Sequence, residues 1–331
     1  MEMKEFRFET DESLPEVERS IRPGMAATLT VAMVSPILEQ GNKSANLDKF
    51  IGYVKDSAAK GADIVLFPET CLTGYLVSKP AGIERPLGEL YEWAETIPGP
   101  SVDRLVAAAK EYNVYIIMGM FEADSETIGH LYNSAAFVGP EGLVGTYRKN
   151  TICDFGLFSA SQWGLGRGLE IPVWEIRKGW RIGIVICYDL VVPEVPRIAA
   201  VKGADLILIP SYTPKDIEHI FSTMLPARAI ENSTGVAWAD CAGTYYGPYL
   251  PKEGLAIGGG RMAVEANGAI LVQEGSSDTE GMSLATFTAE NLYKARGLFP
   301  QLRDRNPAAY RPLVEPKALA RDVIPYKLDT D

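Results

Sequence analysis

Apolar runs and amphipathic segments alternate from Ala27 onward. Residues 27–36, ATLTVAMVSP, are β-branched and apolar, which is typical of a buried strand. Residues 46–61 place apolar side chains at helical spacing and end in Gly61, so they predict an amphipathic helix. ADIVLFPE then predicts a strand that stops at Pro68. The chain therefore opens with the order strand, helix, strand.

The same alternation continues as far as the segment RMAVEANGAILVQEG at residues 261–275. Residues 101–113 predict a helix with Ser101 as its N-cap, and residues 217–232 predict another helix. Three hairpins are predicted from their turn residues, which are Pro140-Glu141-Gly142, Lys178-Gly179 and Asn267-Gly268. Strands that alternate with helices, with hairpins between them, predict an α/β protein in which helices cover the outer faces of mixed sheets.

One nine-residue segment occurs twice. GADIVLFPE at residues 61–69 reappears as GADLILIPS at residues 203–211, and each copy follows an alanine-containing polar segment. The repeat suggests two similar halves whose sheets pack face to face, in the layer order helix, sheet, sheet, helix. No low-complexity linker separates the halves, which favours one domain.

Composition excludes several classes of protein. The net charge of −11 argues against a nucleic-acid partner, which would require a basic surface, and is typical of simple solubility. No apolar run approaches the roughly 20 residues of a membrane span. The first twenty residues are charged and lack the apolar centre of a secretory signal, so we expect a cytoplasmic protein.

Cysteine and histidine are scarce. The four cysteines are far apart, without a CxxC pair, and this spacing favours reduced thiols over a disulfide framework or a zinc site. The two histidines, His130 and His219, make a histidine-built metal centre unexpected and leave few candidates for a histidine base.

Three residues at strand ends are candidates for catalysis. Glu69 follows the apolar strand DIVLFP, Lys149 follows a predicted strand in TYRKN, and Cys187 follows the buried run IGIVI where a helix begins. A thiol at such a turn meets backbone N–H groups that lower its pKa and hold an oxyanion. Taken singly, each has an ordinary alternative: a solvated loop carboxylate, a surface lysine and an inert core cysteine. Their joint order is far more specific.

The chain resembles the nitrilase, or carbon–nitrogen hydrolase, superfamily. The resemblance rests on LFPETCLTGY, YRK, ICYDLVVPEVPR and RAIENSTGVAWADCAG, and covers about residues 27–312. It implies a four-layer αββα sandwich with two pseudo-symmetric halves. The domain division that follows is an N-terminal extension (1–26), the hydrolase domain (27–312) and a C-terminal extension (313–331).

The resemblance also implies roles for the three candidates. Glu69 would be the general base, Lys149 the stabiliser of the oxyanion and Cys187 the nucleophile, with the backbone N–H of Tyr188 as a second oxyanion donor. This chemistry is reasonable without a histidine, since a strand-end carboxylate can accept the thiol proton and an ammonium favours the thiolate. No cofactor and no metal are expected.

Other positions are weaker candidates. Tyr75 and Trp163 are candidate pocket residues, and core packing and an exposed loop aromatic are equally good alternatives for them. Many members of the superfamily carry a second glutamate between the lysine and the cysteine. Here that interval offers Asp154, Glu170 and Glu175, none in a convincing context.

The branch of the superfamily is suggested by the residues after the nucleophile. Tyr-Asp follows Cys187, as is common in amidases and carbamoylases, whereas nitrilases tend to have Trp-Glu. We therefore expect an amidase that acts on a small carboxamide through a thioester on Cys187. An N-carbamoyl hydrolase is the second reading, a nitrilase the third, and a non-catalytic scaffold that keeps the fold stays open. The resemblance further implies at least a homodimer.

Overall fold

The computed structural model of the chain describes residues 21–75, 87–155, 158–159, 164–247 and 250–314. Within these residues the α-helices are α1 (Lys43–Ala59), α2 (Leu87–Trp93), α3 (Pro100–Tyr112), α4 (Glu194–Val201), α5 (Glu218–Asn232) and α6 (Ala289–Leu298). The strands are β1 (Thr28–Ser35), β2 (Ile64–Leu66), β3 (Tyr115–Ala123), β4 (Leu131–Gly139), β5 (Gly142–Arg148), β6 (Asp154–Phe155), β7 (Phe158–Ser159), β8 (Leu165–Gly166), β9 (Val173–Glu175), β10 (Arg181–Ile184), β11 (Leu206–Ser211), β12 (Gly235–Asp240), β13 (Ala242–Tyr245), β14 (Leu255–Gly258), β15 (Arg261–Val264), β16 (Ile270–Glu274) and β17 (Gly281–Thr288). Short 3₁₀ helices span Cys187–Leu190, Lys215–Ile217 and Pro307–Leu313.

Two mixed sheets dominate the described part of the chain. The first has the order β17-β1-β2-β3-β4-β5, with β8 beside β4, and the second has the order β16-β15-β12-β11-β10-β9. From β17 to β5 the neighbours pair antiparallel, parallel, parallel, antiparallel and antiparallel. From β9 to β16 the same succession occurs. The two predicted halves are therefore confirmed, and β2 is equivalent to β11.

The sheets pack face to face, with helices outside. Successive side chains of a strand point to opposite faces, so β1 contributes to two cores. One core joins the two sheets and includes Leu29, Val31, Met33, Ile184 and Leu208. The other joins the first sheet to α1 and α3 and includes Ala32, Val34, Phe50, Val54 and Leu105. On the second sheet α4 and α5 contribute Ala199, Phe221, Leu225 and Ala229. The predicted four-layer αββα sandwich is confirmed.

The repeated Gly-Ala-Asp has a structural reason in both halves. Gly61 follows α1 with φ of +85°, and Gly203 follows α4 with φ of +95°. This left-handed backbone favours glycine and turns the chain from helix to strand. The next residues, Ala62 and Ala204, are buried beneath the turn.

The aspartate of each copy ties the new strand to its neighbour. Asp63 accepts a hydrogen bond from the backbone N–H of Thr30 at 2.9 Å, and Asp205 accepts one from that of Arg181, also at 2.9 Å. Thr30 lies in β1 and Arg181 in β10, which are equivalent strands. The motif therefore places a helix end and a parallel strand in the same way twice.

The start of α3 differs from the prediction. Gly99 is the N-cap, and Ser101 lies inside the first turn, so the expected cap is wrong. Glu95 replaces it, because its carboxylate accepts from the N–H of Ser101 at 2.9 Å and from its hydroxyl at 3.1 Å. A carboxylate outside the helix satisfies the N–H group that a capping side chain would otherwise bind.

Residues 21–26 contact the domain. Trp180 donates from Nε1 to the carbonyl of Ala26 at 3.0 Å, and Arg22 forms an ion pair with Asp205 at 2.5 Å. The predicted hairpins at Lys178-Gly179 and Asn267-Gly268 pair β9 with β10 and β15 with β16. Among the helices that the structure describes, none combines the length and the apolar character needed to cross a membrane.

Candidate active site

Glu69, Lys149 and Cys187 meet in one cavity, although about 120 residues of chain separate the first from the last. Glu69 follows β2, Lys149 follows β5, and Cys187 begins a 3₁₀ helix just after β10. Lys149 Nζ lies 2.6 Å from Glu69 Oε1, and both side chains are buried. The cavity has a volume of about 240 Å³ and all three residues line it. Strand ends of both sheets thus supply the charged pair and the thiol.

The two carboxylate oxygens of Glu69 have different surroundings. Asn133, in β4, donates from Nδ2 to Glu69 Oε1 at 2.7 Å, beside the bond from Lys149. The backbone N–H of Glu69 donates to the carbonyl of Ser211 at 3.3 Å, which joins the ends of β2 and β11. Glu69 Oε2 is buried and has no hydrogen-bond partner among the described residues. This oxygen is the one left to accept a proton.

The backbone at Glu69 is fixed by a close approach between two segments of the chain. A Cβ atom on Gly119 of β3 would lie 2.4 Å from the carbonyl oxygen of Pro68 and 2.6 Å from Glu69 Cα. No side chain fits there, so glycine is required at this position. Because Gly119 has no side chain, the backbone of Glu69 lies directly against β3.

Cys187, the candidate nucleophile, lies at a sharp turn of the backbone. Cys187 has φ of +47°, which is uncommon for a residue with a side chain. Asp189 secures this turn from behind, accepting from Ile186 N–H at 3.0 Å, Thr151 N–H at 2.6 Å and the Tyr147 hydroxyl at 2.7 Å. Strained backbone of this kind persists where surrounding contacts determine it.

The charges of the site oppose one another at the thiol. Burial raises the pKa of Cys187 above its ordinary value, and the negative charge of Glu69 raises it further. The Lys149 ammonium and hydrogen bonds from the Ser211 side chain and the Tyr212 backbone act in the opposite direction without cancelling the rise in that pKa. The resting site therefore holds a thiol beside a carboxylate.

Lys149 keeps its charge despite complete burial. Burial by itself lowers the pKa of the ammonium and is the largest single effect. Glu69 and the other acidic groups around it together outweigh burial and leave the pKa raised well above its ordinary value. A permanent cation beside Cys187 favours any negative charge that develops on a group bound there.

The weaker candidates have different outcomes. Tyr75 and Tyr188 line the cavity, and Tyr75 also packs against Tyr212, with ring centroids 5.5 Å apart. Trp163 lies outside the described residues, as does the side chain of Asp154. Glu170 and Glu175 are exposed and do not line the cavity, which agrees with their unconvincing context in the sequence.

Several residues of the site were missed from sequence. Asn133 binds the carboxylate of Glu69, and Ser211 and Tyr212 bind the thiol of Cys187. Cys153 also lines the cavity. A polar residue at the start of an apolar strand, as in NSAAF, is the signal that would have drawn attention to Asn133. Ser211 has a similar signal, because it occupies the place of Glu69 in the second copy of the repeat.

Metal and cofactor sites were also sought. Among the described residues no group of three or more histidine, cysteine, aspartate or glutamate side chains is placed to hold a metal ion.

Comparison with known proteins gives the same picture. The carbon–nitrogen hydrolase family model matches residues 30–296. An (R)-stereoselective amidase of Pseudomonas sp is 26% identical over 277 residues, 84% of this chain and 91% of that protein. An omega-amidase of Xenopus tropicalis is 31% identical over 293 residues, 86% of this chain and 95% of that protein.

A solved structure shares the fold. The carbon–nitrogen hydrolase from Helicobacter pylori G27 has a TM-score of 0.78 at 21% sequence identity, covering 87% of this chain and 99% of that one. The family match, the relatives and the architecture agree. The chain thus belongs to the carbon–nitrogen hydrolase family, in the amidase-like branch of the nitrilase superfamily, and is an enzyme that acts on carbon–nitrogen bonds.

Proposed function

We propose that the protein hydrolyses a small carboxamide to a carboxylate and ammonia through a thioester on Cys187. The observation that carries this proposal is the buried Glu69–Lys149 pair, with Nζ and Oε1 2.6 Å apart, in one cavity with Cys187. A nucleophile, a base and an oxyanion stabiliser are the three parts that acyl transfer requires.

The first half-reaction forms the thioester. Cys187 Sγ attacks the amide carbon while its proton moves to Glu69 Oε2, and the electron pair of the C=O bond moves to the carbonyl oxygen. Lys149 and the backbone N–H of Tyr188 stabilise the resulting oxyanion. When the C–N bond breaks, the nitrogen takes the proton from Glu69 and leaves as ammonia.

The second half-reaction restores the thiol. Glu69 removes a proton from water, whose oxygen attacks the thioester carbon, and Lys149 again balances the oxyanion. Collapse of this intermediate breaks the C–S bond, and the proton on Glu69 returns to Cys187. Glu69 thus acts as base, then acid, in each half-reaction.

The amide is favoured over its rivals by two considerations. Two relatives that align along most of this chain are named amidases, while another is named a probable nitrilase, and Tyr-Asp follows Cys187. An N-carbamoyl compound or a nitrile would use the same three residues, so the choice among them requires a substrate panel. A scaffold without activity is disfavoured, because all three catalytic positions are filled and in contact range.

The test is ammonia release from amides, N-carbamoyl compounds and nitriles. We expect the wild type to release ammonia from amides and Cys187→Ala to lose at least about a thousandfold of that rate, as nucleophile removal does in enzymes of this kind. Cys241→Ala is the matched control, since Cys241 is buried but does not line the cavity. It should retain activity within a few-fold.

Two outcomes would contradict the proposal. Undiminished ammonia release by a folded Cys187→Ala variant would remove the thioester mechanism. Release from nitriles or N-carbamoyl compounds alone would keep the residues in their roles and change the substrate class. Mass spectrometry of the wild type quenched during turnover should show the acyl group on the peptide that contains Cys187.

A further inference from the structure

The cavity has one wall that the proposed reaction does not use. The reacting groups Glu69, Lys149 and Cys187 occupy one side. The remaining wall is formed by the residues after the nucleophile and by the segment that leads into α5, and its apolar members are Tyr188, Val191, Pro214, Ile217, Ile220 and Phe221. In the proposed reaction the group attached to the amide carbon lies against these apolar side chains, which make up much of the described lining of the cavity.

The charged groups of the cavity are already committed to each other. Among the described residues that line it, Glu69 and Lys149 are the charged ones, and they form an ion pair with both side chains buried. Among the described residues, this apolar region therefore offers no cation to pair with a carboxylate on the far end of the substrate. Burial of an unpaired charge is strongly unfavourable.

Cations near the wall are turned away from it. Lys215 Nζ donates to Ser277 Oγ at 2.8 Å. Arg228 donates from Nε to the carbonyl of Leu190 at 2.8 Å and pairs with Glu231 at 3.0 Å. Neither of these cations lines the cavity. These two basic side chains thus bind other parts of the protein and, within the part of the chain that the structure describes, add no charge to the acyl region.

The wall is supported from behind by aromatic packing. Phe221 stacks on Trp238, with ring centroids 6.1 Å apart and planes 18° apart. Tyr212 packs between Tyr75 and Tyr245, at 5.5 Å and 5.7 Å. Tyr245 does not line the cavity, so it supports the wall from outside. Packed aromatic rings give a pocket that is formed before the ligand arrives.

From these observations we infer that the acyl part of the substrate is an uncharged aliphatic or arylalkyl group. The inference rests on the proposed function, because it names the substrate class of the same site. The inferred substrate differs from amides that also carry a carboxylate. Recognition of such a carboxylate is favoured by a cation on the acyl wall.

The first experiment compares two amides that differ at one end. Hexanamide ends in a methyl group, and adipamate has a carboxylate in its place on a chain of the same length. We expect kcat/KM for hexanamide to exceed that for adipamate by roughly ten- to hundredfold. We also expect kcat/KM to rise from propionamide to hexanamide by roughly fourfold for each methylene that the wall covers.

A variant can reverse the preference. Ile220 lies at the open side of the wall and is partly exposed, so Ile220→Arg places a guanidinium there with little disturbance of the core. We expect the ratio of hexanamide to adipamate activity to fall by roughly tenfold or more, because a charge-assisted hydrogen bond replaces an unpaired carboxylate. Ile270→Arg is the matched control, since Ile270 is similarly exposed on β16 and outside the cavity. It should leave the ratio unchanged.

Binding separates this inference from the proposed function. Calorimetric titration of Cys187→Ala with hexanamide and adipamate measures the preference of the pocket without turnover. Preference for hexanamide supports the inference even if the wild type releases no ammonia, a result that would contradict the proposed function alone. Equal or tighter binding of adipamate, or an unchanged ratio in Ile220→Arg, overturns the inference while amide hydrolysis stands.

Discussion

The surroundings of Cys187 favour the protonated thiol. Burial and the charge of Glu69 raise the thiol pKa, and the Lys149 ammonium only partly offsets this effect. Glu69 Oε2 is buried and has no hydrogen-bond partner among the described residues. In the proposed reaction, proton transfer to this oxygen therefore accompanies the attack on the amide. The neighbouring charges should control thiol reactivity in opposite directions.

Alkylation by iodoacetamide would measure this opposition. The thiolate is the reactive form, so the rate on Cys187 should rise with pH into the alkaline range. Glu69→Gln removes a negative charge that raises the pKa, and its midpoint should move to lower pH by about one unit or more. Lys149→Met removes a positive charge that lowers the pKa, and its midpoint should move to higher pH by a similar amount.

The readout is the mass of the peptide that contains Cys187, which distinguishes it from the other three cysteines. Both variants should lose amide hydrolysis, so turnover cannot report the difference between them. Shifts of the same sign in the two variants would contradict the electrostatic account. A resting thiolate would appear as a rate that is already maximal at neutral pH.

The candidate catalytic residues are easier to find from the sequence than the residues that hydrogen-bond to them. Glu69, Lys149 and Cys187 each end a predicted strand and fall in a recognisable order. Asn133 and Ser211 act on them from other strands, and their contacts depend on how β4 and β11 pack. Such contacts become visible when the sheets are assembled, because no local spacing encodes them.

Between helix and strand, the repeated Asp performs the same task with unequal partners. Asp63 is partly exposed and pairs with Lys178 at 2.8 Å. Asp205 is fully buried and pairs with two arginines, Arg22 at 2.5 Å and Arg296 at 3.0 Å. The second copy of the motif therefore carries an ion cluster in addition to the bond with the neighbouring strand.

Equivalent substitutions in the two copies should have unequal costs. Asp63→Asn keeps an oxygen for the N–H of Thr30 and loses a partly exposed pair, so we expect about 1 kcal/mol or less of destabilisation. Asp205→Asn leaves two arginines without their carboxylate, and we expect about 3 kcal/mol or more. Urea unfolding of both variants measures the difference. Equal losses would contradict the assigned importance of the buried cluster.

Element boundaries were predictable where turn residues are specific. The Lys178-Gly179 and Asn267-Gly268 turns mark hairpins that the structure contains. The N-cap of α3 was predicted at Ser101 and occurs at Gly99, because Glu95 from the preceding segment satisfies the first turn. A cap supplied by a residue outside the helix leaves no signal in the helix itself.

Over the whole molecule, the helices of the second half carry exposed apolar side chains. Ile198 and Val201 of α4 and Ile230 of α5 are each more than a third exposed, and Leu313 shares a surface depression with Ile198. Exposed apolar surface of this kind marks interaction sites. We propose that a second copy of the chain covers it, which agrees with the homodimer expected from sequence.

Sedimentation velocity tests this proposal. We expect the wild type to sediment as a dimer or larger assembly, and Ile198→Asp to shift the population towards the monomer because an unpaired charge would be buried at the contact. Leu143→Asp is the control, since Leu143 is similarly exposed but lies on β5 of the first sheet. A monomeric wild type, or equal behaviour of the two variants, would contradict the proposed interface.

The edge strand of the first sheet links distant parts of the chain. β17 pairs with β1 along its full length, from Thr28 opposite Thr288 to Ser35 opposite Gly281. The beginning and end of the hydrolase fold therefore lie side by side, and the backbone forms what is nearly a closed ring. A ring has no privileged starting point. A circular permutant that is opened at a surface turn and joined between β17 and β1 should therefore keep the strand neighbours around the candidate site.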